Sequence, residues 1–423
     1  MMLASLAAKA EEYLTRLCLE IPTRRVGSQG NQAATEFFAK ILDSFGFETQ
    51  TPEFDCMDWI SEGVRLTGGA ISFKALASPY SPGCRVSAPL AVLSTVDELA
   101  SIEAPEAMFL LKGELADEPL MPKNFPFYNP DEHKRIIYLL ETKRPGAILS
   151  ATSRNPQMAG GLYPFPLIED GDFDIPSAYL TEEEGERLAV HAGKQLSLEI
   201  QAKRIPSKAR NVIGRKIGGT RRRVVVCAHI DSKVGTPGAL DNASGVTVLL
   251  LLAELLTNYQ GELGIELVAI NGEDYYSNPG EIQYLESNRG KFEEILLDVN
   301  IDGAGYVQGE SAYSLYECPE ELAGLIRKTF SAHPHMVEGE QWYQGDHMIF
   351  AMNRVPSVAL TSERAMELMA HIVHTPKDEP ANIDSGRLVD LARAIRDLLI
   401  ALGEQQHSER ETNYALQRGE RHV

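Results

Sequence analysis

The sequence predicts an α/β protein in which helices flank a mixed, largely parallel central sheet, with a β-rich α+β domain inserted into it. Two observations support this prediction. Beyond residue 210, short apolar runs alternate with segments of helical length, which is typical of a parallel sheet covered by helices on both faces. Between residues 60 and 205, short apolar runs are instead separated by closely spaced turn signals.

We therefore predict a discontinuous main domain and one inserted domain, which suits a chain of 423 residues. The main domain comprises residues 1–59 and 206–403, and the insert comprises residues 60–205. Residues 404–423 are polar and are predicted to form a disordered tail.

The elements follow from apolar periodicity and from the positions of glycine and proline. In the main domain, the predicted helices span 31–45, 246–257, 280–289, 320–332 and 385–402, and the predicted strands span 47–54, 211–213, 224–226, 265–270, 294–300 and 356–361. In the insert, the predicted strands span 89–93, 108–112, 146–151 and 196–200, with a helix at 181–192 and turns that include 155–156 and 160–161.

The composition favours a protein that binds neither nucleic acid nor membranes. Apolar residues make up 43% of the chain and charged residues 24%, which is ordinary for a globular protein with a core. The net charge of −20 opposes binding to nucleic acids and to anionic membranes. No apolar run reaches the length of a membrane-spanning helix.

The amino terminus and the cysteines predict a cytoplasmic protein. Lys9, Glu11 and Glu12 interrupt the first apolar residues, so this segment predicts an amphipathic helix and not a signal peptide. The cysteines are Cys18, Cys56, Cys84, Cys227 and Cys318. They are few, odd in number and dispersed, and none forms a CxxC pair, so we predict reduced thiols.

One stretch carries the first candidate site. The run of valines at 224–226 predicts a buried strand that ends at His229 and Asp231, and the following loop carries Asp241. Ligand sites of open α/β sheets lie at the carboxyl ends of strands, and imidazole and carboxylate groups bind zinc and related ions. Because His229 and Asp231 share a face of the strand, His229 is the ligand candidate and Asp231 its orienting partner. For this stretch alone, a metal-free strand end with an Asx-rich turn is an equal alternative.

Further acidic and histidine residues follow later predicted strands. Glu273 and Asp274 follow the strand at 265–270, Asp302 follows the strand at 294–300, and His374 precedes the last helix. Two adjacent carboxylates are costly to hold together without a cation. Because these residue types recur on the loops of one largely parallel sheet, together they predict a metal site.

With these motifs the sequence resembles the M28 family of zinc metallopeptidases, which are aminopeptidases with a dinuclear metal site. The resemblance covers residues 211 to about 402 and the amino-terminal helices. Its motifs are His229-Ile230-Asp231, 241–245, Glu273-Asp274, Asp302, Asp346-His347 and 374–378. The insert resembles a protease-associated (PA) domain at 145–149, 175–180 and 182–188.

The resemblance implies five metal ligands, which are His229, Asp241, Asp274, Asp302 and His374. His229 and Asp302 would bind one metal ion, Asp274 and His374 would bind the other, and Asp241 would bridge the two. Glu273 would be the general base and Asp231 would orient His229. The implied cofactors are two Zn²⁺ ions per chain, and Mn²⁺ or Co²⁺ could replace them in a carboxylate-rich site.

The chain departs from the common family pattern at two positions. Asp274 stands where many members have Glu, and it remains a competent ligand although it is one methylene shorter. Val373 stands where many members have a Tyr that assists the oxyanion, and Tyr343 is our candidate substitute.

Two other motif positions can be assigned from their surroundings in the sequence. We expect Asp346-His347 to be structural or to support the ligands indirectly. His371 competes with His374 as a metal ligand, but only His374 is followed by Thr-Pro-x-Asp.

These assignments predict a metallo-aminopeptidase that acts on short peptides, with residues 60–205 as a lid over the site. Three alternatives stay open: a single-zinc glutaminyl-cyclase-like acyltransferase, a carboxypeptidase or dipeptidase, and a non-catalytic binding protein on the same scaffold. Such binding proteins lose ligands, whereas all five are present here. The oligomeric state is open, a homodimer included.

Overall fold

The computed structural model describes residues 2–419 except 22, 126, 155–161 and 276, without the side chains at 2–4 and 408–419. The turns predicted at 155–156 and 160–161 therefore lie outside the described residues. The strands form two mixed eight-stranded sheets flanked by helices, which confirms the predicted fold class. In the described part of the chain, no helix combines the length and hydropathy needed to cross a membrane.

The two sheets contain sixteen strands. Numbered along the chain, they are β1 (Glu48–Gln50), β2 (Glu53–Gly68), β3 (Ile71–Phe73), β4 (Leu76–Ala77), β5 (Cys84–Leu93), β6 (Met108–Leu111), β7 (Ala147–Thr152), β8 (Ser177–Thr181), β9 (Gln195–Arg210), β10 (Val212–Lys216), β11 (Arg223–His229), β12 (Gly264–Ile270), β13 (Ile295–Ile301), β14 (Ser311–Tyr316), β15 (Met336–Glu338) and β16 (Ser357–Ser362).

The helices cover the faces of both sheets. They are α1 (Met2–Thr15), α2 (Gln29–Ser44), α3 (Val96–Ser101), α4 (Asp131–Lys143), α5 (Glu182–Ala189), α6 (Ser244–Leu255), α7 (Pro279–Ser287), α8 (Glu320–Phe330), α9 (His347–Ala351), α10 (Ala365–His371) and α11 (Ser385–Gly419). Short π-helical turns lie at Arg16–Glu20 and Ala239–Ala243, and short 3₁₀ turns lie at Gly113–Ala116, Phe292–Glu294 and Pro380–Asn382.

The main-domain sheet has the strand order β1-β10-β12-β11-β13-β16-β14-β15. Its centre, β12-β11-β13-β16, is parallel. These central strands are apolar and almost completely buried, because helices cover both of their faces. On one face, the largely apolar and buried helix α6 packs against α1 and α11 and fills the middle of the core.

The second sheet is built from residues 53–210 and has the strand order β3-β2-β9-β5-β6-β7-β8-β4. Its strands β5 to β8 are parallel neighbours in chain order; α3 lies between β5 and β6 in sequence, α4 lies between β6 and β7, and α5 follows β8. The long strands β2 and β9 pair antiparallel from Glu53↔Arg210 onward. The boundaries predicted at 60 and 205 therefore fall inside two continuous strands that connect the insert to the main domain.

Two expectations from the sequence differ from the structure. The single strand predicted at 47–54 is divided into β1 and the start of β2, because Thr51 and Pro52 leave the ladder between them. The tail predicted to be disordered from residue 404 continues α11 as far as Gly419. Its first turn is held by the main domain, since Gln405 donates a hydrogen bond to Glu321 and Arg222 donates one to Gln406.

Candidate metal centre

Three parallel strands end side by side and carry the first part of the candidate metal centre. His229 is the last residue of β11 and lies in register with Ile270, the last residue of β12. The loop after β12 carries Glu273 and Asp274, and Asp302 directly follows β13. Because the strands are parallel, their carboxyl ends meet at one edge of the sheet, as the sequence predicts.

Asp241 joins two imidazoles, one with each of its carboxylate oxygens. His229 Nε2 lies 3.0 Å from Asp241 Oδ1, and His374 Nε2 lies 2.9 Å from Asp241 Oδ2. The outer ligands complete the two halves, with Asp302 Oδ1 3.6 Å from His229 Nε2 and Asp274 Oδ1 3.2 Å from His374 Nε2. The structure thus brings together all five residues that the resemblance implies as ligands, with His229 beside Asp302 and His374 beside Asp274.

The polar atoms of this cluster fit a divalent metal. Three buried atoms of this cluster have no aligned hydrogen-bond partner among the described residues. They are the two ring nitrogens of His229 and Oδ2 of Asp274. Ligand atoms of His229, Asp241 and Asp274 lie within 4.8 Å of one another. Buried polar atoms normally have partners, so nitrogen and oxygen atoms left without one indicate a missing cation.

The electrostatics of the metal-free cluster point the same way. Burial would lower the pKa of His374, but the Asp274 and Asp241 carboxylates outweigh it and raise that pKa to about 10. Burial would raise the pKa of Asp241, yet His229 and His374 hold it below its usual range. With its pKa raised in this way, the His374 imidazole favours its protonated form at neutral pH, so metal binding to it would release a proton.

Asp231 lies beside His229 without an aligned hydrogen bond to it, and its hydrogen bonds fit the other role expected from the sequence, that of structuring the site. Its Oδ1 atom lies 3.7 Å from His229 Nδ1, which is too long for a hydrogen bond. Asp231 instead accepts backbone N–H groups from the turn that follows β12, from Gly272 at 2.7 Å, Glu273 at 3.3 Å and Asp274 at 3.1 Å. Asp231 therefore fixes the turn that carries the proposed base and one proposed ligand.

Glu273 lies among the charged side chains of the candidate metal centre. Its backbone is held by Asp231, and its side chain is partly buried. Burial raises the pKa of Glu273 well above its usual value, the charge of His229 opposes that rise, and the neighbouring Asp274, Asp302 and Asp346 add to it. A carboxylate with a raised pKa beside the ligands is suited to accept and release a proton.

Two side chains outside the sheet hold the backbone around Asp241. Asp378 accepts the N–H groups of Leu240 at 2.7 Å and of Asp241 at 3.1 Å. Arg24 is 2% exposed. Its guanidinium donates four hydrogen bonds of 2.7–3.0 Å to the backbone carbonyls of Leu17, Ile230, Pro237 and Gly238. One buried cation from the amino-terminal segment therefore fixes both ends of the loop Ile230–Gly238, which connects the proposed ligands His229 and Asp241.

A second link from the amino-terminal segment reaches the loop after β12. Asn31 and Asn271 exchange two side-chain hydrogen bonds of 2.8 and 2.9 Å, and Asn31 also donates to the Arg24 carbonyl. Sequence reasoning did not assign a role to Arg24 or Asn31. In the sequence, Arg24 lies in the short segment between two predicted helices and Asn31 lies in the first turn of the second helix. Neither residue type indicates a particular role at such a position.

The structure does not bring Tyr343 into the cluster. Tyr343 is 67% exposed, its hydroxyl donates to Gln341, and its ring packs against Tyr316. The expectation that Tyr343 replaces the missing family Tyr is therefore unsupported by this arrangement, because an exposed ring on a surface loop is not preorganised. His371 is also exposed, and it is His374 that contacts Asp241.

Asp346 and His347 are buried beneath the cluster. His347 Nε2 lies 3.0 Å from the Trp342 carbonyl, and its ring packs against Trp342 and Tyr316. Burial lowers the pKa of His347 to about 4, against the opposing effect of the Trp342 carbonyl. His347 is thus a neutral packing residue, in line with the structural role that the sequence suggests.

Comparison with known proteins shows that the sequence of this chain is similar to peptidases. Residues 211–399 match the family model described as Peptidase family M28. The chain is 27% identical over 368 residues to a protein of Mycobacterium tuberculosis (strain ATCC 25618 / H37Rv) named "Probable lipoprotein aminopeptidase LpqL". That match covers 80% of this chain and 70% of the relative.

The fold is similar to solved aminopeptidase structures over nearly its whole length. For an aminopeptidase from Aneurinibacillus sp. strain AM-1, the TM-score is 0.73 at 19% identity, with 93% of each chain covered. For BSAP, a zinc aminopeptidase from Bacillus subtilis, the TM-score is 0.69 at 18% identity, with 94% of each chain covered.

Proposed function

We propose that this chain, of which residues 211–399 match the model of Peptidase family M28, is a metal-dependent aminopeptidase that hydrolyses the amino-terminal bond of short peptides. The observation that carries this proposal is the position of Asp241, which offers one carboxylate oxygen to each of two imidazoles. Similarity to proteins named aminopeptidase adds support. Zinc is the proposed metal, since the donor set consists of imidazole and carboxylate groups and one similar fold is named a zinc aminopeptidase.

We further propose two metal ions per chain. His229 and Asp302 would hold one ion, His374 and Asp274 would hold the other, and Asp241 would bridge them. When bound, two such ions supply Lewis-acid activation of water and of the scissile carbonyl. The bridging carboxylate would offset part of the repulsion between the two ions.

Glu273 is the proposed general base. Its carboxylate would take the proton from the attacking water and pass it to the leaving amino group, which requires a group near the ligands that is not itself a ligand. Asp231 holds the Gly272–Asp274 turn by three hydrogen bonds, so that Asp274 and Glu273 keep separate directions. Arg24 and Asp378 keep Asp241 between the two imidazoles.

The insert is the proposed lid that limits substrates to short peptides. Support comes from Glu169 in the segment between β7 and β8, which reaches Lys233 on the loop after β11 at 3.2 Å. The resemblance of the insert to a PA domain and its boundaries at 60 and 205 stay predictions. A variant with residues 60–205 replaced by a short linker should accept longer peptides. The same peptide-length profile in a folded linker variant would exclude the lid.

Metal stoichiometry and substrate choice test the main proposal together. Protein reconstituted with zinc should hold two ions by elemental analysis, and it should cleave peptides with a free amino terminus but not amino-blocked ones. One tight ion with cyclisation of amino-terminal glutamine would instead support the glutaminyl-cyclase alternative. Cleavage of amino-blocked peptides from the carboxyl end would support a carboxypeptidase, and hydrolysis restricted to dipeptides would support a dipeptidase.

Cellular location and assembly are separate proposals. We propose a cytoplasmic protein, supported by five cysteines that are all free thiols in the structure. Fractionation of cells that express the native gene should place the protein in the cytoplasm, and recovery with the membrane fraction would contradict this. Sedimentation at micromolar concentration distinguishes a monomer from the homodimer that the sequence leaves open.

A further inference from the structure

One buried lysine connects the insert to a proposed metal ligand. Lys233 lies on the loop after β11, and its Nζ atom donates to the backbone carbonyl of Asp274 at 2.9 Å. The same Nζ atom donates to Glu169 Oε1 of the insert at 3.2 Å. The two side chains are only 13% and 11% exposed, so this pair lies inside the interface and is not a surface ion pair.

The pair borders a cavity beside the metal centre. This small, open cavity is lined from the insert by Tyr80 and Glu169 and from the main domain by residues that include Lys233, Asp274 and Tyr275. Glu169 also faces the charges of His374 and Asp274, which oppose each other in their effect on its pKa. The insert therefore extends to the edge of the proposed ligand set.

The energetics of the pair require that both partners stay together. Burial raises the pKa of Glu169, and the charge and hydrogen bond of Lys233 act against that rise. If the insert moves away, Lys233 loses its counter-charge and the geometry that aims Nζ at the Asp274 carbonyl. A buried charge that loses its partner is strongly destabilising, so Lys233 would then turn toward solvent.

We propose that Lys233 is a positioning residue that couples docking of the insert to the metal-ligand turn. Glu169 fixes Lys233, Lys233 holds the Asp274 carbonyl, and the Asp274 carboxylate is thereby directed toward His374. This inference rests on the proposed function, because it takes Asp274 as a metal ligand. By linkage, metal bound at Asp274 must stabilise the docked insert by the same factor by which docking strengthens metal binding.

A double-mutant cycle on the full-length protein tests the coupling. Zinc is titrated calorimetrically into metal-free wild type, Lys233→Met, Glu169→Gln and the double variant, and thermal unfolding confirms that each is folded. We expect each single variant to weaken one of the two metal-binding steps by about tenfold or more, as is usual when groups that support ligands are lost. The double variant should be no weaker than Lys233→Met, because Glu169 acts through Lys233. Lys233→Arg keeps the charge and should recover part of the affinity.

The Arg25–Asp58 pair provides a matched control. Arg25 Nε donates to Asp58 Oδ1 at 2.6 Å, and this pair also links the main domain to a strand of the second sheet with similar burial. In the described part of the chain, the hydrogen bonds and ion pair of Asp58 reach Arg25 and the Trp59 backbone but no proposed ligand, so Asp58→Asn should leave both zinc affinities unchanged. Proteolysis of the insert gives a second measure, since zinc should protect it in wild type and in Asp58→Asn but not in Lys233→Met.

The outcomes separate this inference from the function beneath it. If wild type binds two zinc ions and Glu169→Gln binds them equally well, the coupling is wrong and the aminopeptidase proposal stands. Additive losses in the double variant would also overturn it, because they would mean that Glu169 and Lys233 act independently. If wild type binds no second ion, the proposed dinuclear site fails, and the coupling fails with it.

Discussion

Two groups of buried carboxylates lie close together in the main domain and are stabilised in different ways. In the candidate metal centre, Asp241, Asp274 and Asp302 lie against the imidazoles of His229 and His374. Beneath it lies a second group, Glu281, Asp298 and Asp346, which we call the acid trio. Its members are 3%, 0% and 1% exposed.

The acid trio shows what burial does to a carboxyl group without a cation beside it. Burial raises the pKa of Glu281 to about 8, with the negative charges of Glu273 and Asp231 adding to the rise and a hydrogen bond from Asn278 opposing it. Burial also raises the pKa of Asp298 and of Asp346 well above their usual values. Within the described residues, both oxygens of Asp346 and Oδ2 of Asp298 accept no hydrogen bond.

The difference teaches how one protein can hold eight nearby carboxyl and imidazole groups. In the candidate metal centre, the imidazoles and the metal ions that we propose would balance the negative charge, whereas burial in the acid trio favours the protonated, uncharged form of the carboxyl groups. The first solution keeps carboxylates ionised and able to bind ligands. The second produces uncharged groups whose ionisation would cost stability. Each expected result below tests one side of this contrast.

The largest expected effect separates the base from the ligand at the end of β12. Glu273→Gln keeps the size of the side chain and removes its basicity, so it should retain both metals while turnover falls by roughly 10²–10⁴-fold or more. Asp274→Ala should instead weaken metal binding at one site. Turnover is measured by peptide cleavage and metal content by elemental analysis of the same samples.

The paired comparison between these variants decides the assignment. Near-normal turnover in Glu273→Gln would remove Glu273 from the proton transfer. Loss of metal from Glu273→Gln with metal kept in Asp274→Ala would show that the two carboxylates have exchanged roles.

The next effect concerns the buried cation that fixes the ligand loops. Arg24→Met should lower the free energy of unfolding by at least about 3 kcal/mol, because carbonyl groups that it satisfied lose a charged donor and stay buried. Chemical denaturation measures this loss, and zinc titration should show weaker binding. Arg16→Met is the control, since Arg16 is partly exposed in a pair with Glu20 and its loss should change stability by no more than about 0.5 kcal/mol. Equal losses in both variants would contradict a special role for Arg24.

The contrast also explains what could be predicted from the sequence. Three of the proposed ligands, His229, Asp274 and Asp302, lie at or just after the ends of strands with strong apolar runs, so their positions at one edge of a parallel sheet could be inferred from the sequence. Asp298 lies in the middle of β13, where an acidic residue in an apolar strand carries no local signal of its function. Arg24 acts on Pro237 and Gly238, more than 200 positions away, and such contacts depend on tertiary packing. Strand β14 was not predicted from the sequence for the same reason. Its serine and tyrosine residues become buried only through pairing with β16.

A smaller effect follows from competition between protons and metal. His374 carries a pKa raised to about 10 in the metal-free protein by Asp274 and Asp241, against the effect of burial. Below that value the imidazole holds a proton that the metal must displace, so zinc affinity should rise with pH, about tenfold per unit for each proton released. Chelator competition at pH 6, 7 and 8 measures the slope. In His374→Ala this proton is absent, and the remaining slope should be shallower. A zinc affinity of the wild type that does not change with pH would contradict the prediction that His374 is protonated in the metal-free protein.

The smallest effect tests the acid trio through Glu281. Its folded-state pKa is raised from 4.5 to about 8, so the folded protein holds this proton more tightly than the unfolded chain. Its contribution to stability is therefore complete below about pH 4.5 and is lost progressively as the pH rises to about 8. Asp298 and Asp346 shift in the same direction and add to this loss.

Glu281→Gln removes the titrating proton and keeps an acceptor for Asn278. We expect the variant to lose less stability than wild type between pH 5 and pH 8, measured as the free energy of unfolding in urea on metal-free protein. Glu286→Gln on the same helix is the matched control, because Glu286 is exposed and its removal should leave the pH dependence unchanged. If Glu281→Gln and wild type lose stability in parallel over this range, Glu281 is ionised in the folded protein. A cation would then have to lie beside it, and the distinction between the two groups of carboxylates would be lost.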